Sequence, residues 1–260
     1  ADAWWRGRFV AVGAGVGLSP TYDGSGSYHV RALPLISLNY RDVVFVGAGG
    51  IGVNLYRGSG FRVAVTGGYD GGRKQSDDAH LNGLGDIKGS VVGGATVSYR
   101  IRQFSLRASL RQAVTNRSNG LTGTLGAQYA LRLGEQVTLR AGPELTLADG
   151  DNMRSHFGVD LAQSRASGLP TFNAGAGAKD VGFGSTLSYR FADDWSLVGF
   201  ARVKELLGDA GASPITQSRQ QGFVGLGVTY HLFGGAPAHG PEVNPDLGDA
   251  PFLCGTEEPR

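Results

Sequence analysis

Three sets of residues in this chain have types and spacings that invite chemistry. In "VVFVGAGGIGVNLY" (Val43–Tyr56), an apolar strand-like run leads into Gly47-x-Gly49-x-x-Gly52, and Asp70 ends a second apolar run eighteen residues later. That is the dinucleotide fingerprint, with glycines for the pyrophosphate and an acid for the ribose. Ser25, Ser167 and Ser213 lie in polar stretches, and Ser167 with His156 and Asp151 has the residue types of a hydrolytic triad. Arg107, Arg111, Arg140 and Glu144 stand on the polar faces of alternating segments, where they would form a charged layer.

A dinucleotide site needs a helix after the glycines. Only eight residues, Val53 to Gly60, separate Gly52 from the next strand-like run, "FRVAVTGGYD", and the last four are Arg-Gly-Ser-Gly. A parallel crossover does not fit in that length. Gly is 44 of 260 residues, about 17% against a usual share of about 7%, so the pattern is expected by chance. The glycines then mark a bend or tight turn in a strand. No sequence motif supports the Ser167 triad, and no catalytic residue is assigned. The five histidines, His29, His80, His156, His231 and His239, lack metal-ligand spacing. Asp77, Asp78, Asp86, Asp149, Asp151 and Asp209 fall in long loops. They suit solvated loop charge, with cation binding at a lipopolysaccharide surface as the other reading. No metal or cofactor is called for.

The elements that would hold these residues follow from the periodicity. "QFSLRASLRQAV" (Gln103–Val114) puts Phe104, Leu106, Ala108 and Leu110 on one face and Ser105, Arg107, Ser109 and Arg111 on the other. "QVTLRAGPELTLAD" (Gln136–Asp149) separates Leu139, Ala141, Pro143 and Leu145 from Arg140, Gly142 and Glu144 in the same way. Segments of about 10–14 residues with this alternation begin near Arg8, Tyr28, Val43, Phe61, Lys88, Val181 and Trp195. Short turns at 57–60, 102–103, 134–135 and 192–194 join some, and long polar loops at 74–88, 150–169 and 208–221 join others. This is the pattern of an outer-membrane barrel: apolar residues out, polar residues in, short periplasmic turns and long extracellular loops. The inward face is small residues with spaced Arg, Glu and Thr and little Lys, unlike a sheet face bathed in water. Tyr40, Tyr56, Tyr69, Tyr99, Tyr189, Phe191, Trp195 and Tyr230 fall near strand ends, where interfacial girdles sit. The fold class is all-β: a transmembrane, up-and-down antiparallel barrel. About eleven passes are visible and a single-chain bacterial barrel needs an even number, so twelve strands are expected, with ten as the alternative.

Composition agrees. A formal charge of +2 is too balanced to argue for nucleic acid, and one cysteine leaves no internal disulfide. No run of 18 apolar residues suggests a membrane helix. The start at Ala1-Asp2-Ala3-Trp4 resembles a mature N-terminus after signal cleavage.

Several longer stretches carry a resemblance. "SPTYDGSGSYHVRALPLIS" (Ser19–Ser37), "GRKQSDDAHLNGLGDIKG" (Gly72–Gly89), "FGVDLAQSRASGLPTFNAGAGAKDVG" (Phe157–Gly182) and "ELLGDAGASPITQSRQQGFVGLGVTYHL" (Glu205–Leu232) are similar, in order and spacing, to the MipA/OmpV family over residues 6–233. The resemblance implies a barrel in the bacterial outer membrane, in contact with its lipid and lipopolysaccharide, with no catalytic residues to carry over. One member of that family is described as a scaffold between a peptidoglycan hydrolase and a peptidoglycan synthase; others are described as surface antigens, adhesins or contributors to antibiotic response.

The expected organisation is a barrel over residues 1–233 and an extended tail over 234–260. The tail, "GGAPAHGPEVNPDLGDAPFLCGTEEPR", holds five prolines and five glycines in 27 residues. It belongs to the periplasmic side or the lumen. Its one apolar cluster, Pro251, Phe252, Leu253 and Cys254, is the candidate partner anchor. The resulting functional expectation is a non-enzymatic scaffold for a periplasmic peptidoglycan hydrolase or synthase, or another envelope protein. The rival is a narrow pore for small solutes, anionic ones included, in which Arg107, Arg111, Arg140 and Glu144 set selectivity rather than plug the lumen. An adhesin or loop-borne hydrolase is a third reading.

Overall fold

The computed structural model describes residues 8–233, so the tail cluster Pro251, Phe252, Leu253 and Cys254 lies outside the described residues. Twelve strands form a closed antiparallel barrel. They are β1 (Arg8–Pro20), β2 (Tyr28–Tyr40), β3 (Val44–Gly47), β4 (Gly50–Gly58), β5 (Phe61–Asp70), β6 (Ser90–Ile101), β7 (Phe104–Ala113), β8 (Leu121–Leu133), β9 (Val137–Ala148), β10 (Gly177–Arg190), β11 (Trp195–Leu206) and β12 (Gln220–Phe233). Each pairs with its neighbour in sequence, and β1 closes on β12 with Ala11 opposite His231 and Leu18 opposite Val224. The count is the expected twelve rather than ten. Closure matters because lipid offers no partner for a backbone N–H or C=O.

The alternation read from the sequence is the alternation of exposure. On β7, Leu106 and Leu110 are 56% and 54% exposed, while Ser105, Arg107 and Ser109 turn inward. In water such an apolar belt would drive aggregation; against lipid it is the solvent-matched surface. The aromatic residues gather mainly at the end with the short turns. There Phe61 packs against Tyr99 at 4.4 Å, Phe104 against Tyr129 at 4.9 Å and Trp195 against Tyr230 at 4.9 Å between ring centres, each pair tilted. That end is the periplasmic girdle, because the connections at 41–43, 59–60, 102–103, 134–136 and 191–194 are all short there.

The three glycines of the fingerprint belong to a hairpin. β3 and β4 turn back on each other with Gly47 opposite Gly50 and Phe45 opposite Gly52. Gly50 has φ 116°, a conformation that side chains rarely adopt. A Cβ on Gly52 would fall 2.1 Å from Cζ of Phe45, so the ring needs a glycine across from it. No helix follows, and the phosphate loop is a coincidence of turn chemistry.

This hairpin is short, which leaves the wall uneven. Along β2, only Leu38, Asn39 and Tyr40 pair with β3. The rest of β2, from Tyr28 to Ser37, pairs with β1 on one side and with no strand on the other among the described residues.

On the extracellular side the long loops carry three short helices: α1 (Gly150–Phe157), α2 (Leu161–Ser167) and α3 (Gly208–Ala212). Asp149 caps α1 by accepting from Asn152 N at 2.8 Å, and Asp160 forms a capping box with Gln163 at the start of α2. Two clusters of buried residues hold the loops together. One joins Met153, Phe157, Ala174, Leu206 and Ala210, and the other joins Tyr22, Leu81, Leu84, Val159 and Ile215.

Candidate functional site: a roofed, basic lumen

The lumen holds a cavity of about 430 Å³. Its upper lining comes from the loops, through Tyr22, Arg73, Asn152 and His156, and its sides chiefly from β6 to β11, with Arg31 of β2, Asp70 of β5 and Phe223 of β12. Among the described residues, nine basic side chains line it (Arg31, Arg73, Arg100, Arg107, Arg111, Arg140, Lys179, Arg202 and Lys204) against four acidic ones, Asp23, Asp70, Asp77 and Glu144. The excess is positive, so the field inside favours anions.

Arg107, Arg111, Arg140 and Glu144 all line this cavity. Arg107 and Glu144 stand level, each opposite Gly126 on the strand between them. The other two arginines are staggered. Arg111 pairs with Thr122, four residues further toward the loops, and Arg140 with Ala130, four residues toward the periplasm. At about 3.3 Å per residue that is a step of about 13 Å each way along the strands. The arginines form a ladder rather than one ring, and Glu144 is ion-paired to Arg202 across the neighbouring strand.

Arg202 belongs to a charged cluster that the sequence did not announce. Between β9 and β10 the register slips between Ala178 and Asp180. This bulge breaks the alternation and turns two successive residues inward, Lys179 at 3% and Asp180 at 0% exposure. Lys179 and Lys204 both reach Asp23, at 3.0 and 2.9 Å. Asp180 lies 3.8 Å from Arg202 and 3.7 Å from Lys204, and neither of its oxygens is in a hydrogen bond among the described residues. Three cations and three carboxylates thus tie the β9–β11 wall to the β1–β2 loop.

The roof is held by bonds between loops that are distant in sequence. Tyr22 Oη donates to the Ile215 carbonyl at 3.0 Å, and Ser213 Oγ to the Phe157 carbonyl at 2.6 Å. Arg73 Nη1 donates to the His156 carbonyl at 3.1 Å, and Gln163 Nε2 to the Leu84 carbonyl at 2.7 Å. Burial, followed by the Asp78 carboxylate, pushes the Tyr22 phenol up to about 12 against the opposing pull of Arg73. Burial also lowers Arg73 from its ordinary value.

His156 sits under this roof, its Nδ1 3.0 Å from the Asn152 carbonyl. Burial and then Lys179 lower its pKa below 6.5. A histidine depressed in the folded state is neutral there while the unfolded chain binds a proton, so stability falls as pH drops below about 6.5 toward the folded value. The roof is therefore expected to loosen on acidification. The protection of 150–167 against hydrogen exchange, taken relative to the unstructured rate at each pH, should fall between about pH 7.5 and about pH 5, and His156→Gln should remove most of that dependence. Equal protection in both proteins at both pH values would rule the histidine out.

The triad residues are occupied separately. Ser167 Oγ donates to the Gln163 carbonyl of its own helix at 2.7 Å, Asp151 pairs with Arg154, and His156 meets Asn152. Ser25 and Ser213 bond Asp78 and Phe157. Among the loop aspartates, Asp78 and Asp149 cap helical turns, Asp86 accepts from Gln75 N and Asp209 from Gly175 N. No cluster of three or more possible metal ligands occurs among the described residues.

Against known proteins, the family model described as "MltA-interacting protein MipA" matches residues 12–232. The chain is 25% identical over 229 residues, covering 86% of its length and 90% of the relative, to the MltA-interacting protein of Escherichia coli (strain K12). The protein of the same name from Shigella flexneri gives the same figures. Among solved structures, OmpT of Vibrio cholerae matches 86% of the chain and 96% of its own, with a TM-score of 0.39 and 8% identity. The strand number and lumen described above rest on this chain's own pairing.

Proposed function

Since the chain belongs to the MltA-interacting protein MipA family, we propose that it is a non-enzymatic interaction protein of the cell envelope, docking a periplasmic peptidoglycan hydrolase or synthase. It is a barrel of the bacterial outer membrane. The name of its curated relatives points to MltA as the kind of partner. The observation that favours docking over free diffusion is the roof: packed loops with two apolar cores cover the extracellular mouth. The periplasmic turns and the segment after Phe233 are then the surfaces left for a partner. Within that segment, Pro251, Phe252, Leu253 and Cys254 are the proposed anchor, and the lipid-facing belt is expected to contact lipopolysaccharide in the outer leaflet.

The test is capture of a purified MltA-type enzyme by the folded barrel, with and without Gly234–Arg260. Binding is expected to be lost on truncation while the barrel keeps its heat-modifiable gel mobility. Binding that survives truncation moves the contact to the rim, and no binding by the full chain defeats the reading. The second reading, a narrow anion pore, is favoured by the nine-to-four basic excess around the cavity. There Arg107, Arg111 and Arg140 with Glu144 would grade the path.

A further inference from the structure

The wall between β2 and β5 is incomplete in its extracellular half. Ten residues of β2, Tyr28 to Ser37, lack a partner on their β3 side among the described residues. The β3–β4 hairpin ends at Gly47–Gly50, and β5 continues past it to Asp70. This gap lies at lipid depth, because outward-facing Val30 and Ile36 on the same stretch are 71% and 55% exposed. Unpaired backbone facing lipid is not sustainable unless water or another group reaches it.

The edge is poorly built to accept another strand. Pro34 stands in its middle and has no N–H to give, a device that blunts sheet edges against pairing. What lies behind the gap is instead the basic cavity. Arg31 from β2, with Asp70 and Arg73 from the β5 side, lines it. Arg73 is 8% exposed, and its Nε, fully buried, has no hydrogen-bond partner among the described residues. A buried donor left unmet in the wall of a cavity points to a bound acceptor.

We propose that the notch between β2 and β5 is a lateral opening through which a single-chain anionic amphiphile, a long-chain carboxylate, passes from the outer leaflet into the lumen. Its head is held by Arg31 and Arg73 and its alkyl chain lies along the β2 edge. A cavity of about 430 Å³ suits one head group and part of one chain, and is too small for a lipid with several acyl chains. Each strand occupies about 4.8 Å of wall, so the missing reach of β3 and β4 leaves room for an alkyl chain. The proposal does not depend on the docking function above.

The test uses the full chain in nanodiscs, with cis-parinaric acid as a fluorescent carboxylate probe. Saturable binding is expected, competed by laurate and not by dodecyltrimethylammonium or inorganic phosphate. Arg31→Gln and Arg73→Gln should each weaken it about tenfold, the loss of one hydrogen bond to a charged group. Arg31 donates to the neighbouring His29 on its own strand and ties no loop of the roof, so Arg31→Gln keeps the test valid if Arg73→Gln does not fold. Hydrogen exchange gives an independent check: peptides from 28–37 should exchange faster than those from 220–232. Unchanged probe affinity in Arg31→Gln, equal competition by the cationic amphiphile, or a 28–37 edge as protected as β12 would each overturn the proposal. The last result, with a dimeric barrel, would make the edge a contact between two copies.

Discussion

Asp180→Asn is expected to lower the unfolding free energy of the barrel by about 3–5 kcal/mol, the range for removing one member of a buried ion cluster. Asp180 is fully buried, and Arg202 and Lys204 beside it are 13% and 9% exposed in their side chains. In the native protein Lys179, Arg202 and Lys204 face Asp23, Glu144 and Asp180. Asparagine has nearly the same shape, so packing is kept and the loss isolates the charge. Three cations would then face two carboxylates in the wall of the lumen, where side chains this buried are only weakly screened. The measurement is urea unfolding in detergent, followed by tryptophan fluorescence. Asp193→Asn, on an exposed periplasmic turn, is the control and should stay within about 0.5 kcal/mol of the native protein. Adding Lys204→Met to Asp180→Asn should recover part of the loss, since the two charges are coupled. A single Asp180→Asn effect no larger than the control would mean the cluster is not holding the wall.

That cluster also marks where the sequence stopped being legible. Strict alternation exposes which residues face lipid, because the period of a strand is two and the solvent on each face is different. Leu106, Leu110, Leu145 and Leu226 could be placed on that ground alone, and so could Arg107 and Glu144 on the other face. The Gly47–Gly52 hairpin was half legible: its length excluded a crossover helix, and evenness of strand number asked for a turn there. Asp180 was not, because a bulge shifts the phase between "AGAK" and "DVGF", and alternation alone cannot say where a phase slips. Arg202 was missed for a related reason, since its partner Glu144 lies 58 residues away and only the register brings them together. The roof was invisible because its contacts are between loops, such as Tyr22 to Ile215, whose spacing carries no period. The notch had no such signal: Pro34 in the middle of β2 does not announce an open edge, since Pro143 stands in the middle of β9, which pairs with a strand on each side.

Destabilising the roof is expected to turn a silent barrel into a conducting one. Phe157 is completely buried in the cluster that joins α1 to α3 and the mouth of the barrel. Phe157→Ala should cost about 3–5 kcal/mol of local packing, enough to raise the open population by roughly two to four orders of magnitude if the roof moves as a unit. In a planar bilayer the native protein should pass little or no current at neutral pH, and the variant should show brief openings. Replacing 150–171 by a short turn should give long-lived steps. Those steps should favour anions, because the cavity walls keep their basic excess. Arg107→Glu in that background should move the reversal potential toward cation preference, and Arg140→Glu should do so as well if the ladder is the conduction path. Native protein that conducts as well as the roofless form would show that the loops cover the mouth without closing it, and the pore reading would gain over docking. A roofless barrel that stays silent would put the seal lower, where Leu33, Phe45, Val198 and Phe200 are buried, and would leave the periplasmic rim as the working surface.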